Sequence, residues 1–233
     1  MNLSHIWIGV ILMIIDNTAC GFKATVQLFL MALVIVGTAN ADEGAALYGQ
    51  TCAVCHGAAA EGKEAMSAPA LAGQTAWYIE TQLQNFKTGV RAYDPADANG
   101  QIMRAALTEQ IGDPEIASLA SYLESLPPQF PQDAVEGNLR RGSGNFAVCG
   151  GCHGSKGQGN INLQAPRLTI LSDRYIKAQL ENYRAGLRGA KLEDVAGQQM
   201  QPMAEIFVDD SSVNDLLAHL ATLRQSQVDQ QAH

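Results

Sequence analysis

The chain has 233 residues, 47% hydrophobic and 16% charged, which is enough for one mid-sized domain or two small ones and too apolar for intrinsic disorder. Its 23 acidic and 15 basic side chains give a formal net charge of -8, which excludes nucleic acid as the main partner, because such a partner is held through many phosphate contacts. The five cysteines are too few for a disulfide scaffold of this size, and four fall in two identical spacings, so they read as site residues.

In chain order, residues Ile6–Ile15 and Ala24–Val36 are apolar runs, each shorter than the roughly 20 residues a helix needs to cross a bilayer. The second run follows Lys23 and ends before Thr38-Ala39-Asn40-Ala41, giving a positive n-region, an apolar h-region and an Ala-x-Ala cleavage signal. Residues 1–41 are therefore expected to be a signal peptide cleaved after Ala41, with Met13 as an alternative start, and the mature chain to be exported to the periplasm. The rival expectation is an uncleaved N-terminus anchored in the inner membrane. Cys20 lacks the aliphatic residue expected three positions before a lipidated cysteine, and Asp16 interrupts the run, so lipidation is not expected.

Beyond the leader the chain repeats itself. Cys52, Cys55 and His56 recur as Cys149, Cys152 and His153 at an offset of 97, and the same offset carries Pro69 to Pro166, Tyr78 to Tyr175, Gln82 to Gln179, Asn85 to Asn182 and Arg91 to Arg188. From Ala68 to Arg91, 10 of 24 positions match, so the chain is a tandem duplication. The predicted organisation is a first domain over 42–126, a proline-rich linker over 127–135, a second domain over 136–224 and a polar tail over 225–233. Three prolines between Pro127 and Pro131 favour an extended connector. Each copy is under about 100 residues, a size at which a core often needs a bound metal or cofactor to complete it.

Each copy reads as helical. Ile79, Leu83, Phe86 and Val90 share a helix face, and Ile176, Leu180, Tyr183 and Leu187 repeat it. Asp113-Pro114-Glu115 starts a second helix, with Asp113 as N-cap and Ile116, Leu119, Leu123 and Leu126 on one face; Val213, Leu216, Leu217, Leu220 and Leu223 match it after Asp210. Arg140-Arg141-Gly142-Ser143-Gly144 is a poor helix former, and the repeat register slips there. With no alternating run long enough for a sheet, the fold class is all-α.

The chemistry lies in Cys52-Ala53-Val54-Cys55-His56 and Cys149-Gly150-Gly151-Cys152-His153, the attachment pattern of c-type haem. Two thiols separated by two residues reach the two vinyl groups of one porphyrin, and the next residue brings an imidazole under the iron. Zinc would need both cysteine pairs to converge across 97 residues and would leave the histidines without a role. Met103 follows His56 by 47 residues and Met200 follows His153 by 47, as a shared duty as sixth ligand predicts. Met66 has no methionine counterpart; Met203 competes with Met200 in the second copy. Imidazole and thioether together fill the iron, which favours electron transfer over activation of a substrate.

On these motifs, with the Ala-Pro-x-Leu segment and the Tyr-Ile-x-x-Gln-Leu helix, each copy resembles a class I cytochrome c domain. Residues 43 to 224 together resemble the dihaem cytochrome c4 family. The resemblance implies two haem c groups, with axial ligands His56 and Met103 on one iron and His153 and Met200 on the other. It also implies that the carbonyls of Pro69 and Pro166 orient the two imidazoles. In that family the two domains pack with their propionate edges facing, and the protein passes electrons in the periplasm, often loosely associated with the membrane. Leu168-Thr169-Ile170-Leu171 departs from the pattern that Leu71-Ala72-Gly73-Gln74 fits, which leaves room for the haems to differ in potential. The expected function is a monomeric carrier between a quinol-oxidising complex and a terminal oxidase or reductase. The alternative is the dihaem subunit of a periplasmic dehydrogenase, such as a flavocytochrome sulfide dehydrogenase.

Overall fold

The computed structural model describes residues 42–207 and 209–231. Residues 1–41, on which the expected signal peptide, Cys20 and the expected cleavage after Ala41 fall, lie outside the described residues. Among the described residues there are eight helices of nine or more residues, two short 3-10 turns at Glu64–Met66 and Ile161–Leu163, and no strand, only two isolated bridges, Lys63 to Ala68 and Asn160 to Ala165. No helix among them is long and apolar enough to cross a membrane.

The first copy is built from α1 (residues 42–56), α2 (Ala76–Thr88), α3 (Ala98–Ala106) and α4 (Asp113–Ser125). The second repeats the order as α5 (Leu139–His153), α6 (Asp173–Arg184), α7 (Val195–Glu205) and α8 (Asp210–Gln231). Each copy has its own core: Tyr48, Ile79, Leu83, Ile116, Leu119 and Leu123 in the first, Phe146, Ile176, Leu180, Leu216, Leu217 and Leu220 in the second. The helical stripes read from the sequence supply these cores except at Val90 and Leu187, which lie past the ends of α2 and α6 and outside both cores. The N-cap of α4 is Gly112, whose N–H donates to the Glu115 carboxylate at 2.9 Å, one residue earlier than the expected Asp113. Helix α8 runs on through the segment read as a polar tail, because 225–231 continue helical hydrogen bonding without a breaker.

The register slip before the second Cys-x-x-Cys-His has a physical cause. Gly44 and Gly142 are each the point where the first helix of a copy crosses its last. A β-carbon at Gly44 would overlap the Ser118 carbonyl oxygen, and one at Gly142 the Asp215 carbonyl oxygen. From glycine to first cysteine is eight residues in copy one and seven in copy two. The extra residue is absorbed by a π turn over Tyr48–Cys52 inside α1. The aromatic pairs Tyr48–Tyr122 and Phe146–His219, with centroids 5.7 and 5.5 Å apart, occupy corresponding places on either side of the slip.

The weak helix formers Arg140 to Gly144 are therefore helical, against propensity, because tertiary contacts hold them. Asn138 caps α5 by accepting from Arg141 N–H at 3.0 Å, and its own N–H donates to the Asp215 carboxylate at 2.6 Å. Arg141 pairs with the same carboxylate at 2.5 Å.

The connector is docked on copy two. Phe130 and Val135 pack against the second core. Arg224 donates to the carbonyl of Asp133 at 2.7 Å and to the buried Asp173 carboxylate at 2.8 Å, while Val135 N–H donates to that carboxylate at 3.1 Å.

Two neighbouring glycines of α5 separate crossing from propensity. Gly142→Ala must push the Asp215 carbonyl aside and is expected to cost about 1–3 kcal/mol of unfolding free energy in urea titrations. Gly144, with open space around it, should gain about 1 kcal/mol as Gly144→Ala.

Candidate functional site

Each Cys-x-x-Cys-His segment closes the first helix of its copy, so the two thiols and the imidazole fall at i, i+3 and i+4 on one helix face. The four thiols are free of disulfides. Cys52 and Cys149 lean on the cores of their copies, and burial pushes both thiols up to about 11. Both histidines end their helices buried, 7% exposed at His56 and 4% at His153.

The Nδ1 of His56 lies 2.8 Å from the Pro69 carbonyl oxygen, and the Nδ1 of His153 lies 2.8 Å from that of Pro166. A carbonyl can only accept, so each Nδ1 carries the hydrogen and each Nε2 keeps a free lone pair. Burial holds both imidazoles below the ordinary histidine range, the carbonyl bonds only partly opposing it, so both are neutral near pH 7. The loop that delivers each proline is the same in both copies. Gly62 N–H reaches the His56 carbonyl at 2.7 Å and Gly159 N–H the His153 carbonyl at 2.8 Å; both glycines have positive φ, and a β-carbon would crowd the backbone beyond the proline.

The methionines sit on the third helix of each copy. Met103 on α3 packs against the first core and Met200 on α7 against the second. Met203 is 40% exposed and Met66 52% exposed. Asp97 and Asp194 cap α3 and α7 by accepting from Gly100 and Gly197 N–H, both at 3.0 Å.

Between the copies lies a cluster that the sequence marked only as repeat identities. Arg91 donates to Gln82 of its own copy at 2.8 Å and to Gln179 of the other at 2.9 Å. Arg188 mirrors it, donating to Gln179 at 2.7 Å and Gln82 at 2.9 Å. Each guanidinium also reaches across to a phenol, Arg91 to Tyr175 at 3.2 Å and Arg188 to Tyr78 at 3.1 Å. Asn85 and Asn182 cross to the helix-capping Asp194 and Asp97 at 3.5 and 3.4 Å. Burial alone would raise the Tyr175 phenol, but Arg91 and Arg188 beside it bring it below its ordinary value.

One similarity recurs over both copies. The cytochrome c family matches residues 41–127 and again 139–224. Cytochrome c4 of Azotobacter vinelandii is 33% identical over 180 residues, covering 71% of this chain and 84% of the relative. The chain belongs to the cytochrome c4 family. It is also 32% identical to the thiosulfate dehydrogenase electron acceptor of Stutzerimonas stutzeri (strain A1501), over 76% of this chain and 91% of that one. The solved cytochrome c4 of Acidithiobacillus ferrooxidans superposes with a TM-score of 0.59 at 27% identity, covering 75% of this chain and 99% of that chain.

As a cytochrome c4, the protein is a dihaem electron carrier with two covalently bound haem c groups and redox-protein partners. Its residues fit those groups. Two neutral imidazoles have free Nε2 atoms, two thiol pairs sit on the same helix faces, and two buried arginines lack an anionic partner. The Nε of Arg91 and of Arg188 are buried without any hydrogen-bond acceptor, as expected of donors meant for a carboxylate the polypeptide does not supply. The sequence carried a signal for this cluster, since Tyr78, Gln82 and Arg91 and their counterparts are all identical at the repeat offset.

Arg188→Met removes the donor to Tyr78 and Gln82 across the interface and to Gln179 within copy two, leaving Tyr78 without a guanidinium while Arg91 still reaches both glutamines. The expected loss is about 1–3 kcal/mol per acceptor left unsatisfied, read as a lower urea midpoint of the holoprotein and as separate transitions for the two copies.

Proposed function

We propose that this cytochrome c4 is a periplasmic carrier that passes single electrons between a quinol-oxidising donor and a terminal oxidase or reductase. In this reading Cys52 and Cys55 would hold one haem and Cys149 and Cys152 the other, and His56 and Met103 would ligate the first iron and His153 and Met200 the second. When bound, each haem would supply one-electron iron redox chemistry. The observation that carries the reading is the matched state of the two histidines: buried, neutral, fixed through Nδ1 by a proline carbonyl, and free at Nε2.

The remaining residues hold or orient. Pro69 and Pro166 fix ring orientation and tautomer and raise the basicity of the imidazole. Met200, packed against its core, is better supported than the exposed Met203 as the ligand of copy two. The arginine pair Arg91 and Arg188 would receive the carboxylate side of the haems at the interface. Export of the chain with cleavage after Ala41 follows from the leader pattern and puts it in the compartment where c-type haem is carried.

A second reading concerns the donor. Relatives from Stutzerimonas stutzeri and from Thiomonas intermedia are electron acceptors of thiosulfate dehydrogenase, at 32% and 29% identity. They favour a periplasmic dehydrogenase as an alternative source of electrons. A carrier purifies alone, whereas a dehydrogenase component copurifies with a larger catalytic chain.

The ligand assignment is tested by optical spectra with pyridine haemochrome quantitation. Wild type is expected to show two low-spin c haems per chain and the long-wavelength methionine–iron band. Met200→Ala should halve that band and turn one haem high-spin, and Met203→Ala should leave the spectrum unchanged. The reverse result for the two variants would assign Met203.

A further inference from the structure

Most bonds between the two copies come in mirrored pairs, and those that Gln74 makes are among the ones that do not. Gln74 is 1% exposed, at the end of the segment in which the second copy departs from the first. Its Nε2 donates to the Arg167 carbonyl at 3.0 Å, and its Oε1 accepts from the Arg167 N–H at 3.0 Å. The residue at the equivalent place in copy two is Leu171, an aliphatic side chain buried in its own core. Among the described residues, no acceptor from copy two meets the Ala70 N–H, the position in copy one that matches Arg167.

The Arg167 N–H belongs to the same peptide unit as the Pro166 carbonyl. A continuous chain therefore runs from Gln74 Oε1 to the Arg167 N–H, through the amide to the Pro166 oxygen, and from the His153 Nδ1–H onto that oxygen at 2.8 Å. An amide whose N–H is bonded is polarised and becomes a better acceptor at its oxygen, and away from water the effect is not screened. A stronger acceptor on Nδ1 makes the imidazole more basic toward the metal and favours the oxidised iron. His56 has the proline carbonyl without the reinforcement behind it.

We propose that Gln74 is a positioning residue contributed by the first copy to the second haem: it strengthens the hydrogen bond on His153 and thereby lowers the reduction potential of that haem alone. The inference rests on His153 as an axial ligand. It makes the second haem sense that the copies are docked, because the reinforcing oxygen belongs to the other domain.

The test is a spectroelectrochemical titration of the holoprotein for wild type and Gln74→Leu, the substitution that copies the residue at position 171. The two centres are distinguished by the hyperfine-shifted methionine methyl resonance that Met200→Ala abolishes. Gln74→Leu is expected to raise the potential of the second haem and leave the first in place. Gln74→Glu keeps an acceptor oxygen for the Arg167 N–H, so it should hold the second haem at or below its wild-type potential; it also serves if the leucine variant does not fold. Tyr93→Phe removes another bond across the interface, from the Tyr93 hydroxyl to the Gly186 carbonyl, and should move neither potential. An unchanged second haem in Gln74→Leu, or equal movement of both haems, overturns the proposal while the ligand assignment stands. If Met200→Ala leaves both methionine signals in place, the ligand assignment falls and takes this inference with it.

Discussion

Two guanidinium groups buried between the copies, with only neutral partners among the side chains, are the constraint on which the rest depends. Arg91 and Arg188 share the oxygens of Gln82 and Gln179, so neither cation can be satisfied by its own copy alone. Like charges held this way repel, and two glutamine oxygens do not neutralise them. The two Nε donors that lack acceptors mark where negative charge is required. Cofactor carboxylates would meet that requirement, and binding of the haems and docking of the copies would then be parts of one equilibrium. The same cluster reaches the methionine-bearing helices, because Asn85 and Asn182 cross to the aspartates that cap α7 and α3.

Each copy also lacks material of its own. A helical unit of this size buries too little apolar surface to stand by a wide margin. Fixing the histidine by a backbone carbonyl uses no side chain that could vary, and Gly62 and Gly159 let the loop return close enough to do it. The connector adds to this order: with Arg224 bridging Asp133 and Asp173, the proline-rich stretch is fastened to copy two over its last residues. Extended conformation was legible in its prolines; docking was not, because its partners lie 38 to 91 residues away in sequence.

What could be read from residues alone follows from local spacing. The paired Cys-x-x-Cys-His segments, the helical stripes and the duplication are periodic or repeated signals, and the helices and cores occur where those signals put them. The misjudged stretch, Arg140 to Gly144, failed for the opposite reason: its helicity comes from the Asp215 carboxylate and from a glycine chosen for close approach, neither visible in propensity. The register slip at that point was visible, but its meaning as a π turn required seeing that Gly44 and Gly142 cross equivalent carbonyls, those of Ser118 and Asp215. Gln74 was the hardest to read. Its partner is 93 residues distant, and its importance shows in the absence of a counterpart, where the repeat identities draw attention to residues that match.

That asymmetry works against a second one. Residues 42–126 carry 11 acidic and 4 basic side chains, whereas residues 136–224 carry 9 and 10. Negative charge around the first haem favours its oxidised form, so long-range electrostatics lowers the first potential relative to the second. Gln74 acts in the other direction, lowering the second. The two influences differ in reach and in screening. Charges on exposed side chains lose most of their effect beyond about 8 Å at physiological ionic strength. The bond chain from Gln74 to His153 is buried at its start and its end and is indifferent to salt. The gap between the two haems should therefore depend on ionic strength through the acidic first copy, while the contribution from Gln74 persists at every salt concentration for as long as the copies stay docked.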